Sequence, residues 1–513
     1  MSAGLESAVD AGRGVDGRLI LPAEERAALW RALIDAVEDY QAWIGRGRVA
    51  PSYDPEAIRA LLAPFDFERP IDPVALVRFV AAQLEQHQTH PAHRRYFGLF
   101  NPAPTTMGIA ADALVAAFNP QLSTWNHSPF AVEVERHLLR GLAARFGYAT
   151  DEVDGTFASG GSEANHTAVL TALVQAFPEV ARCGLRRLPA QPTLYASGEA
   201  HRSLVKAARL TGLGSEAVRE VPVDGRFAID VAELAARIRA DRAAGLAPFM
   251  VVATAGTTSA GVIEPLGAVA EVAAREGLWL HVDAAWGGAA ALVPRLRPHL
   301  AGIERADSIT FDAHKWLSVP MGAGVYLTRH RRILGQTFDV AAAYVPRYTA
   351  ELDVVDPYRS SMQWSRRFIG LKVFLSIAAA GWDGYAEALE RQARMGDLLR
   401  ERLGEDGWAV VNETPLPVVC FVDASHRAGQ TAAYLEAIAR DVVVGGRAWI
   451  SATLLGGTTP VLRACVTNVR TDRADVDALL EALDVSRHRI GLAWPASLPA
   501  PVPRPRPSPS GRG

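Results

Sequence analysis

The middle of this 513-residue chain alternates short apolar runs with helical stretches, and this alternation restricts the choice of fold more than any other feature. Five runs are rich in apolar and β-branched side chains: 193–196, 249–253, 278–282, 308–311 and 324–327. Continuous apolar strands separated by helices are typical of a parallel sheet with helices on both faces. The sequence therefore predicts an α/β protein with a mostly parallel central sheet.

The segments on either side of this region predict further helices and a second, smaller unit. Helical periodicity covers residues 22–62, 73–87, 107–118, 131–146 and 369–403. A small α+β unit follows, with strands near 408–411, 418–422 and 462–466. We expect four parts: an N-terminal helical segment and arm (1–106), a large domain (107–385), a small C-terminal domain (386–486) and a proline-rich disordered tail (487–513).

The charge balance and the scarcity of cysteine argue against several classes of function. Lys and Arg total 53 against 56 Asp and Glu, a formal net charge of −3, which gives no electrostatic reason to expect nucleic acid as a partner. The chain has no uncharged apolar run of about 18 residues, so a membrane span is not expected. Cys183, Cys420 and Cys465 are too scattered for a disulfide framework, and the N-terminus does not resemble a signal peptide. We expect a cytoplasmic protein.

The first motif with chemical content is Ser-Gly-Gly-Ser-Glu-Ala-Asn at 159–165, which precedes a helical run over 166–177. Small residues before a helix let backbone N–H groups approach an anion, and the helix start adds partial positive charge. The segment therefore suits a phosphate group. An ordinary glycine turn that caps a helix would give the same pattern.

Two further motifs follow apolar strands. Asp283 lies in His-Val-Asp-Ala-Ala-Trp-Gly (281–287), at a strand end where burial without a cationic partner would be costly. Lys315 lies in Asp-Ala-His-Lys-Trp (312–316), a few residues after another apolar strand. A helix cap or a loop salt bridge is an alternative for Asp283, and a solvated surface position is an alternative for Lys315.

The three motifs together meet the needs of one cofactor. Pyridoxal 5′-phosphate (PLP) requires a lysine for its aldehyde, a carboxylate for its pyridinium nitrogen and an anchor for its phosphate. The order Ser159–Ser162, Asp283 and Lys315 supplies all three, and no Walker loop or His/Cys metal cluster competes with this interpretation.

These motifs resemble those of the group II PLP-dependent amino-acid decarboxylases, which include the aromatic amino acid, glutamate, cysteine sulfinate and diaminobutyrate decarboxylases. The resemblance covers residues 85–480 and implies the fold type I, aspartate aminotransferase-like architecture. It implies that Lys315 forms the Schiff base with PLP, that Asp283 pairs with the ring nitrogen, and that Gly161 and Ser162 hold the phosphate. His314, next to the lysine, is also expected to contact the cofactor.

The same resemblance extends to four residues outside these three roles. It implies that His201 stacks on the cofactor ring, that Thr258 contacts the cofactor, and that Ala285 lies against the ring face. Arg463 resembles an arginine that some members direct at the substrate carboxylate. For His201 the alternative is a surface histidine at a helix start, and for Arg463 it is a surface salt bridge.

Tyr344 bears on the type of reaction. It aligns with a tyrosine of the family's mobile catalytic loop, where a phenol can return a proton to Cα after CO₂ leaves. Members with phenylalanine there tend toward aldehyde formation, so the tyrosine favours plain decarboxylation of an L-amino acid to its amine. An aldehyde synthase, an aminotransferase, another carbon–carbon lyase and a non-catalytic scaffold are the alternatives.

The substrate side chain is left open by the sequence. The resemblance implies a homodimer with shared active sites, in which Phe97, Phe100 and Trp125 either line an apolar pocket or pack an interface. Arg94 and Arg95 suggest either an acidic substrate or a solvated face. Aromatic, acidic, aliphatic and diamino acids all stay possible.

Overall fold

Two β-sheets organise the molecule, which a computed structural model describes over residues 19–340 and 352–494. The larger sheet has seven strands in the order β1-β7-β6-β5-β4-β2-β3, and all except β7 run in the same direction. The smaller sheet is antiparallel, in the order β10-β11-β9-β8. The predicted α/β fold with a mostly parallel sheet and a smaller C-terminal sheet is confirmed.

The strands are β1 Asp154–Ala158, β2 Pro192–Ser197, β3 Val218–Val221, β4 Ala247–Thr254, β5 Trp279–Asp283, β6 Ser308–Asp312, β7 Gly324–Thr328, β8 Trp408–Val410, β9 Val418–Asp423, β10 Ser451–Leu455 and β11 Thr459–Cys465. The helices are Ala23–Trp43, Pro55–Leu62, Pro73–His87, Thr106–Phe118, Pro129–Arg145, Gly161–Ala176, Val180–Cys183, Ser203–Leu210, Val231–Ala243, Leu266–Glu276, Ile333–Phe338, Gly370–Glu405, Ala432–Gly445 and Arg473–Ala493.

The central strands are buried on both faces, as their apolar runs predict. Every residue of β5, β6 and β7 is buried, and helices from both sides of the sheet cover them. The register pairs Thr254 with Asp283 and Asp283 with Thr310. Because β4, β5 and β6 are parallel, their polar terminal residues meet at one edge of the sheet.

The predicted single helix over 22–62 is wrong, since the structure has two helices there. The first ends at Trp43, and a Cβ at Gly47 would come within 2.1 Å of the Trp43 ring, so the chain turns at a residue without a side chain. The second helix starts at Pro55, where the Asp54 side chain accepts hydrogen bonds from the N–H groups of Glu56 and Ala57.

The sequence also missed β1, β3 and β10, and it extended one helix without a break. All three strands are short or carry polar residues, and so lack the continuous apolar run by which the others were found. The Gly370–Glu405 helix is interrupted at Gly381, whose φ of 68° is left-handed. The last helix reaches Ala493, beyond the predicted start of the tail at 487.

Among residues 19–340 and 352–494, no helix is both long and apolar enough to cross a membrane. The three cysteines carry free thiols, and Cys420 and Cys465 are buried. Burial raises the pKa of the Cys420 thiol to about 12 and that of Cys465 to about 11.

Candidate active site

A cavity of about 360 Å³ opens at the carboxyl ends of β4, β5 and β6. Eight of the residues that the sequence predicted as site residues line it: Gly161, Ser162, His201, Thr258, Asp283, Ala285, His314 and Lys315. They come from five separate segments of the chain, and the parallel strands bring these segments together because each delivers its last residue to the same edge.

Lys315 lies in the turn that follows β6 and faces a carboxylate from the end of the same strand. Its Nζ is 3.0 Å from Oδ2 of Asp312, whose side chain is 1% exposed. The other oxygen of Asp312, Oδ1, is buried without a hydrogen-bond partner. A buried oxygen of this kind is costly, so the site retains an unused acceptor beside its amine.

His314 stands between this ion pair and the backbone of the β6–β7 connection. Its Nδ1 accepts a hydrogen bond from the N–H of Ala323 at 3.1 Å, and its Nε2 is 3.9 Å from Oδ2 of Asp312. Burial lowers the pKa of His314. The imidazole is therefore held in the wall of the cavity by a backbone contact.

Asp283 ends β5 and has both of its carboxylate oxygens bonded. Oδ2 accepts from Nδ2 of Asn165 at 2.8 Å, and Oδ1 accepts from the N–H of Ala285 at 3.1 Å. The sequence suggested a cationic partner, whereas these partners are an amide and a backbone N–H. The carboxylate is thus buried as an oriented acceptor.

The Gly161–Ala176 helix begins at Gly161, five residues earlier than the predicted helical run over 166–177. Gly160 is therefore the N-cap, and Gly161 and Ser162 stand in the first turn of the helix, whose leading N–H groups have no partner within the helix. A Cβ at Gly161 would come within 2.7 Å of Oδ2 of Asp312 and 3.3 Å of the Ala285 Cβ. Glycine at this position keeps the backbone close to the cavity.

The exposed ring of His201 lines the cavity beside the Ser203–Leu210 helix. Its Nδ1 accepts from the backbone N–H of Ser203 at 3.2 Å and lies 2.8 Å from the Ser203 hydroxyl. Across the cavity, the buried hydroxyl of Thr254 has no hydrogen-bond partner.

Two predicted residues are not among those that line the cavity. Arg463 is buried, donating to the carbonyl oxygens of Gly98 at 2.8 Å and Ser259 at 3.1 Å. Its guanidinium lies 4.8 Å over the ring of Phe100, which stacks on the cavity residue Trp286 at 4.3 Å. The surface salt bridge offered as its alternative is wrong. Tyr344 falls outside the described residues.

The aromatic residues proposed for the substrate pocket are packed elsewhere in the described chain. Phe97 is fully buried, and its N–H donates to the Trp449 carbonyl at 2.9 Å. Trp125 donates from its indole nitrogen to Glu133 at 2.9 Å. Phe100 lies one ring behind the cavity wall, because it reaches the cavity through Trp286.

Neither interpretation of Arg94 and Arg95 fits the structure. Both arginines bond the carboxylate of Asp475, at 2.5 and 3.1 Å, and Arg94 also contacts Asp472. Asp472 and Asp475 form a capping box at the start of the Arg473–Ala493 helix. These arginines therefore tie the segment before the Thr106–Phe118 helix to the start of the Arg473–Ala493 helix.

Sequence reasoning missed the two residues that organise the site, Asn165 and Asp312. Each stands inside a motif that was recognised, three residues after Ser162 and three residues before Lys315. The i, i+3 spacing of Asp312 and Lys315 was the available signal, since it suits a local ion pair. The contact of Asn165 with Asp283 spans 118 residues and left no sequence signal.

The residues present fit PLP. The cavity offers one amine, an acceptor carboxylate, the start of a 16-residue helix and buried polar atoms without partners on Asp312 and Thr254. Unpartnered polar atoms in a closed wall indicate a polar occupant. Fold and site together define the class, a PLP-dependent enzyme of fold type I.

Comparison with known proteins agrees. The pyridoxal-dependent decarboxylase conserved domain matches residues 60–423. The aromatic-L-amino-acid decarboxylase of Bacillus atrophaeus is 28% identical over 483 residues, 93% of this chain and 98% of the relative. Tryptophan decarboxylase 1 of Oryza sativa subsp. japonica is 30% identical over 479 residues, 88% and 91% of the two chains. Cysteine sulfinic acid decarboxylase of Rattus norvegicus is 32% identical over 411 residues, 76% and 82%.

Solved structures show the same architecture. The crystal structure of mouse CSAD superposes with a TM-score of 0.84 at 28% identity, covering 90% of this chain and 99% of that one. The structure of Oryza sativa TDC with PLP and tryptamine gives 0.86 at 26% identity, covering 92% and 99%. The chain belongs to the pyridoxal-dependent decarboxylase family. It is a PLP-dependent carboxy-lyase that converts an L-amino acid to the corresponding amine and CO₂.

Proposed function

We propose that the cavity around Lys315 is where this decarboxylation takes place, and that Lys315 binds the aldehyde of PLP. The observation that carries the proposal is that one cavity of about 360 Å³ is bordered by an amine, an oriented carboxylate and a helix start. Each group alone has a structural explanation. Their convergence from separate segments supports a shared chemical task.

The scarcity of lysine strengthens the assignment. Of the 53 basic residues only three are lysines: Lys206, Lys315 and Lys372. Lys206 is exposed on a helix, and Lys372 is buried with its Nζ 3.1 Å from Oδ2 of Asp112 and 2.8 Å from the Met321 carbonyl. Lys315 is therefore the lysine that borders the cavity with room to react.

When bound, PLP supplies a conjugated ring that takes up the electrons left on the substrate as CO₂ departs. We assign Asp283 as the partner of the PLP ring nitrogen, because its oriented carboxylate holds that nitrogen in the protonated form. His201 is assigned to the ring face, with Ala285 on the opposite wall.

The remaining cavity residues hold the cofactor in place. We assign the phosphate to the backbone at Gly161 and Ser162, where the helix start supplies unpartnered N–H groups. Thr258 and His314 complete the wall. We assign to Tyr344 the return of a proton to Cα. We assign to Arg463 the binding of the substrate carboxylate, because its buried Nη2 has no hydrogen-bond partner.

The decisive experiment traps the cofactor. Borohydride reduction of the holoenzyme is expected to fix PLP covalently to the peptide that contains Lys315, and Lys315→Ala is expected to remove both the trapped label and the activity. Lys206→Ala, at an exposed lysine on the same protein, serves as the matched control and keeps both. A label that persists in Lys315→Ala would contradict the proposal.

Product analysis separates decarboxylation from aldehyde synthesis. Incubation of the holoenzyme with individual L-amino acids is expected to release amine and CO₂ in equal amounts without consumption of oxygen. Aldehyde with oxygen uptake would contradict the proposal for Tyr344. The amino acid that gives the highest turnover identifies the substrate class.

We also propose a cytoplasmic homodimer with shared active sites. The Ala23–Trp43 and Pro73–His87 helices border a groove of about 810 Å³ and expose Trp30, Ile34 and Leu84, each more than half accessible. Exposed apolar side chains that cluster on neighbouring helices suit an interface between two chains, and free thiols suit a reducing compartment. Light scattering is expected to give twice the chain mass, and Leu84→Asp is expected to shift it toward the monomer. A monomeric parent would contradict the dimer.

A further inference from the structure

A buried row of polar side chains lies beneath the cavity and leads from Trp279 to Asp283. The indole nitrogen of Trp279 is 2.8 Å from the hydroxyl of Ser308, and this hydroxyl is 2.8 Å from Nδ1 of His281. Nε2 of His281 is 3.2 Å from Oδ1 of Asn165. All four side chains are buried, and Ser308 and His281 are fully enclosed.

The row has a single consistent direction of hydrogen bonding. The Asp283 carboxylate can only accept, so Nδ2 of Asn165 faces it and Oδ1 of Asn165 accepts from Nε2 of His281. The neutral ring then accepts at Nδ1 from the Ser308 hydroxyl, which itself accepts from the indole N–H of Trp279. The ring proton of His281 then lies on Nε2. That N–H donates to Oδ1 of Asn165, with the Thr310 hydroxyl at 3.3 Å as a second acceptor.

The surroundings of His281 agree with a neutral ring. Burial lowers the pKa of His281 to about 4, against the smaller opposing effect of the Asp283 charge. An imidazole with one proton must donate from one nitrogen and accept at the other. The hydrogen bonds therefore run in one direction from Trp279 to Asp283 without a break.

The amide of Asn165 converts this direction into two donated bonds. With Oδ1 turned to His281, Nδ2 faces Oδ2 of Asp283 at 2.8 Å and the hydroxyl of Ser203 at 2.9 Å. The Ser203 hydroxyl is 2.8 Å from Nδ1 of His201, which already accepts from the Ser203 N–H. This pattern leaves the ring proton of His201 on Nε2.

We propose that Asn165 is a positioning residue, held in one orientation between Asp283 and the Trp279–Ser308–His281 row, and that it fixes two groups of the site at once. It holds Asp283 as an acceptor toward the cofactor ring, and through Ser203 it holds His201 in one tautomer. The proposal rests on the proposed function, because it is that assignment which gives Asp283 and His201 their tasks.

The reversed amide shows what the row prevents. If His281 carried its proton on Nδ1, Nε2 would accept, and Asn165 would have to turn Nδ2 toward it. Oδ1 of Asn165 would then face Oδ2 of Asp283 at hydrogen-bond distance with no proton between them. A carboxylate left against a carbonyl oxygen in a buried site loses a charge-assisted hydrogen bond and its fixed direction.

The first test replaces Asn165 by the isosteric aspartate. Asn165→Asp removes both donated bonds and sets a second carboxylate against Asp283, so that the pair shares a proton and the ring nitrogen loses its fixed partner. We expect the dissociation constant of PLP, measured by its absorbance in the holoenzyme, to rise about tenfold or more, with an altered pH dependence of the absorbance.

The second test acts from the far end of the row, outside the cavity. Trp279→Phe removes only the N–H that starts the row, and Trp408→Phe is its matched control, since Trp408 is also buried but its indole nitrogen has no partner. The His281 resonance in ¹⁵N-histidine-labelled holoenzyme can be identified because it is absent from His281→Gln. This resonance is expected to show a proton on Nε2 alone. Trp279→Phe is expected to weaken that preference and Trp408→Phe to leave it unchanged.

The outcomes separate the two proposals. PLP binding to Asn165→Asp as tight as in the parent, or a His281 proton on Nδ1 in the parent, would overturn the role of Asn165 while cofactor trapping at Lys315 still stands. Failure of trapping in the parent would overturn the proposed function instead. The His281 resonance would in that case still decide the orientation of Asn165, because it reads the row directly.

Discussion

The ends of β5 and β6 are neighbouring positions in one sheet, and each carries a buried carboxylate. Asp283 has a hydrogen-bond partner for each oxygen and a third layer of side chains behind Asn165. Asp312 has Lys315 on one oxygen and no partner on the other. Both acids are buried, so the main difference between them lies in their hydrogen-bond partners.

This difference separates a fixed group from one whose partner changes. A carboxylate with two bonded oxygens resists reorientation, which suits a group that must face one atom of the cofactor throughout. A carboxylate with a free oxygen can follow the lysine as it gains and loses a bond. We therefore expect substitutions at the two strand ends to differ in size and in the property that changes.

The largest effect is expected from Asp283→Asn. An amide at this position cannot hold the ring nitrogen protonated and places an N–H against the Nδ2 of Asn165. We expect kcat/KM for CO₂ release to fall about 10³-fold, the upper range for loss of one preorganised electrostatic contact. Asp312→Asn, the same change one strand away, is the comparison. Equal losses at the two positions would remove the distinction between them.

A third buried acid, Glu264, lies next to the end of β4 and extends the comparison to the pH dependence of folding stability. Oε2 of Glu264 accepts from the Thr254 N–H at 2.7 Å, and burial raises the pKa of Glu264 from 4.5 to about 7. Between these pH values the unfolded chain has lost a proton that the folded chain keeps. Folding stability therefore falls as pH rises through this window, by about 3 kcal/mol in total.

Glu264→Gln is expected to remove that loss. His93 and His281, whose pKa values burial lowers from 6.5 to about 4, act in the opposite sense, since they lose stability as pH falls through that range. When the pH is raised from 5 to 8, the free energy of unfolding measured with urea should therefore increase more in Glu264→Gln than in the parent. Glu413→Gln, at an exposed glutamate, is the control. An unchanged difference between the two pH values would contradict this account.

The smallest effect is expected from Asp312→Asn. The loss of a negative charge 3.0 Å from Lys315 Nζ makes a protonated nitrogen there less favourable. We expect the pH at which the visible absorbance of the bound cofactor changes to move down, with trapping by borohydride retained. Asp307→Asn, at the opposite end of β6, is the control. No shift in Asp312→Asn would show that the ion pair has no part in the loaded enzyme.

The fold and the chemical groups of the site could be predicted because local patterns carry them. The apolar runs gave β2 and β4 to β7, and strand-end positions gave Asp283 and Lys315. Partnerships between distant segments could not be predicted in this way. Asn165 meets Asp283 and His281 only after two strands and a helix have packed, and nothing in the local sequence records that meeting.

The errors have the same origin. The break after Trp43 depends on a ring that fills the space beside Gly47, which periodicity does not detect. Arg94 and Arg95 look like candidates for an anionic ligand until the fold brings Asp472 and Asp475 to them across about 380 residues. Charge near a motif thus suggested a substrate class that the tertiary contacts do not support.

The choice of arginine over lysine has a consequence for how the protein coexists with reactive carbonyl compounds. Guanidinium groups do not readily condense with aldehydes at neutral pH, so a surface that draws its positive charge from arginine offers few competing amines. A vitamin-derived aldehyde added at stoichiometric amounts meets one accessible lysine on a helix and one in the cavity. Amine-directed chemical probes should accordingly report on the state of the reactive centre with little background from the rest of the chain.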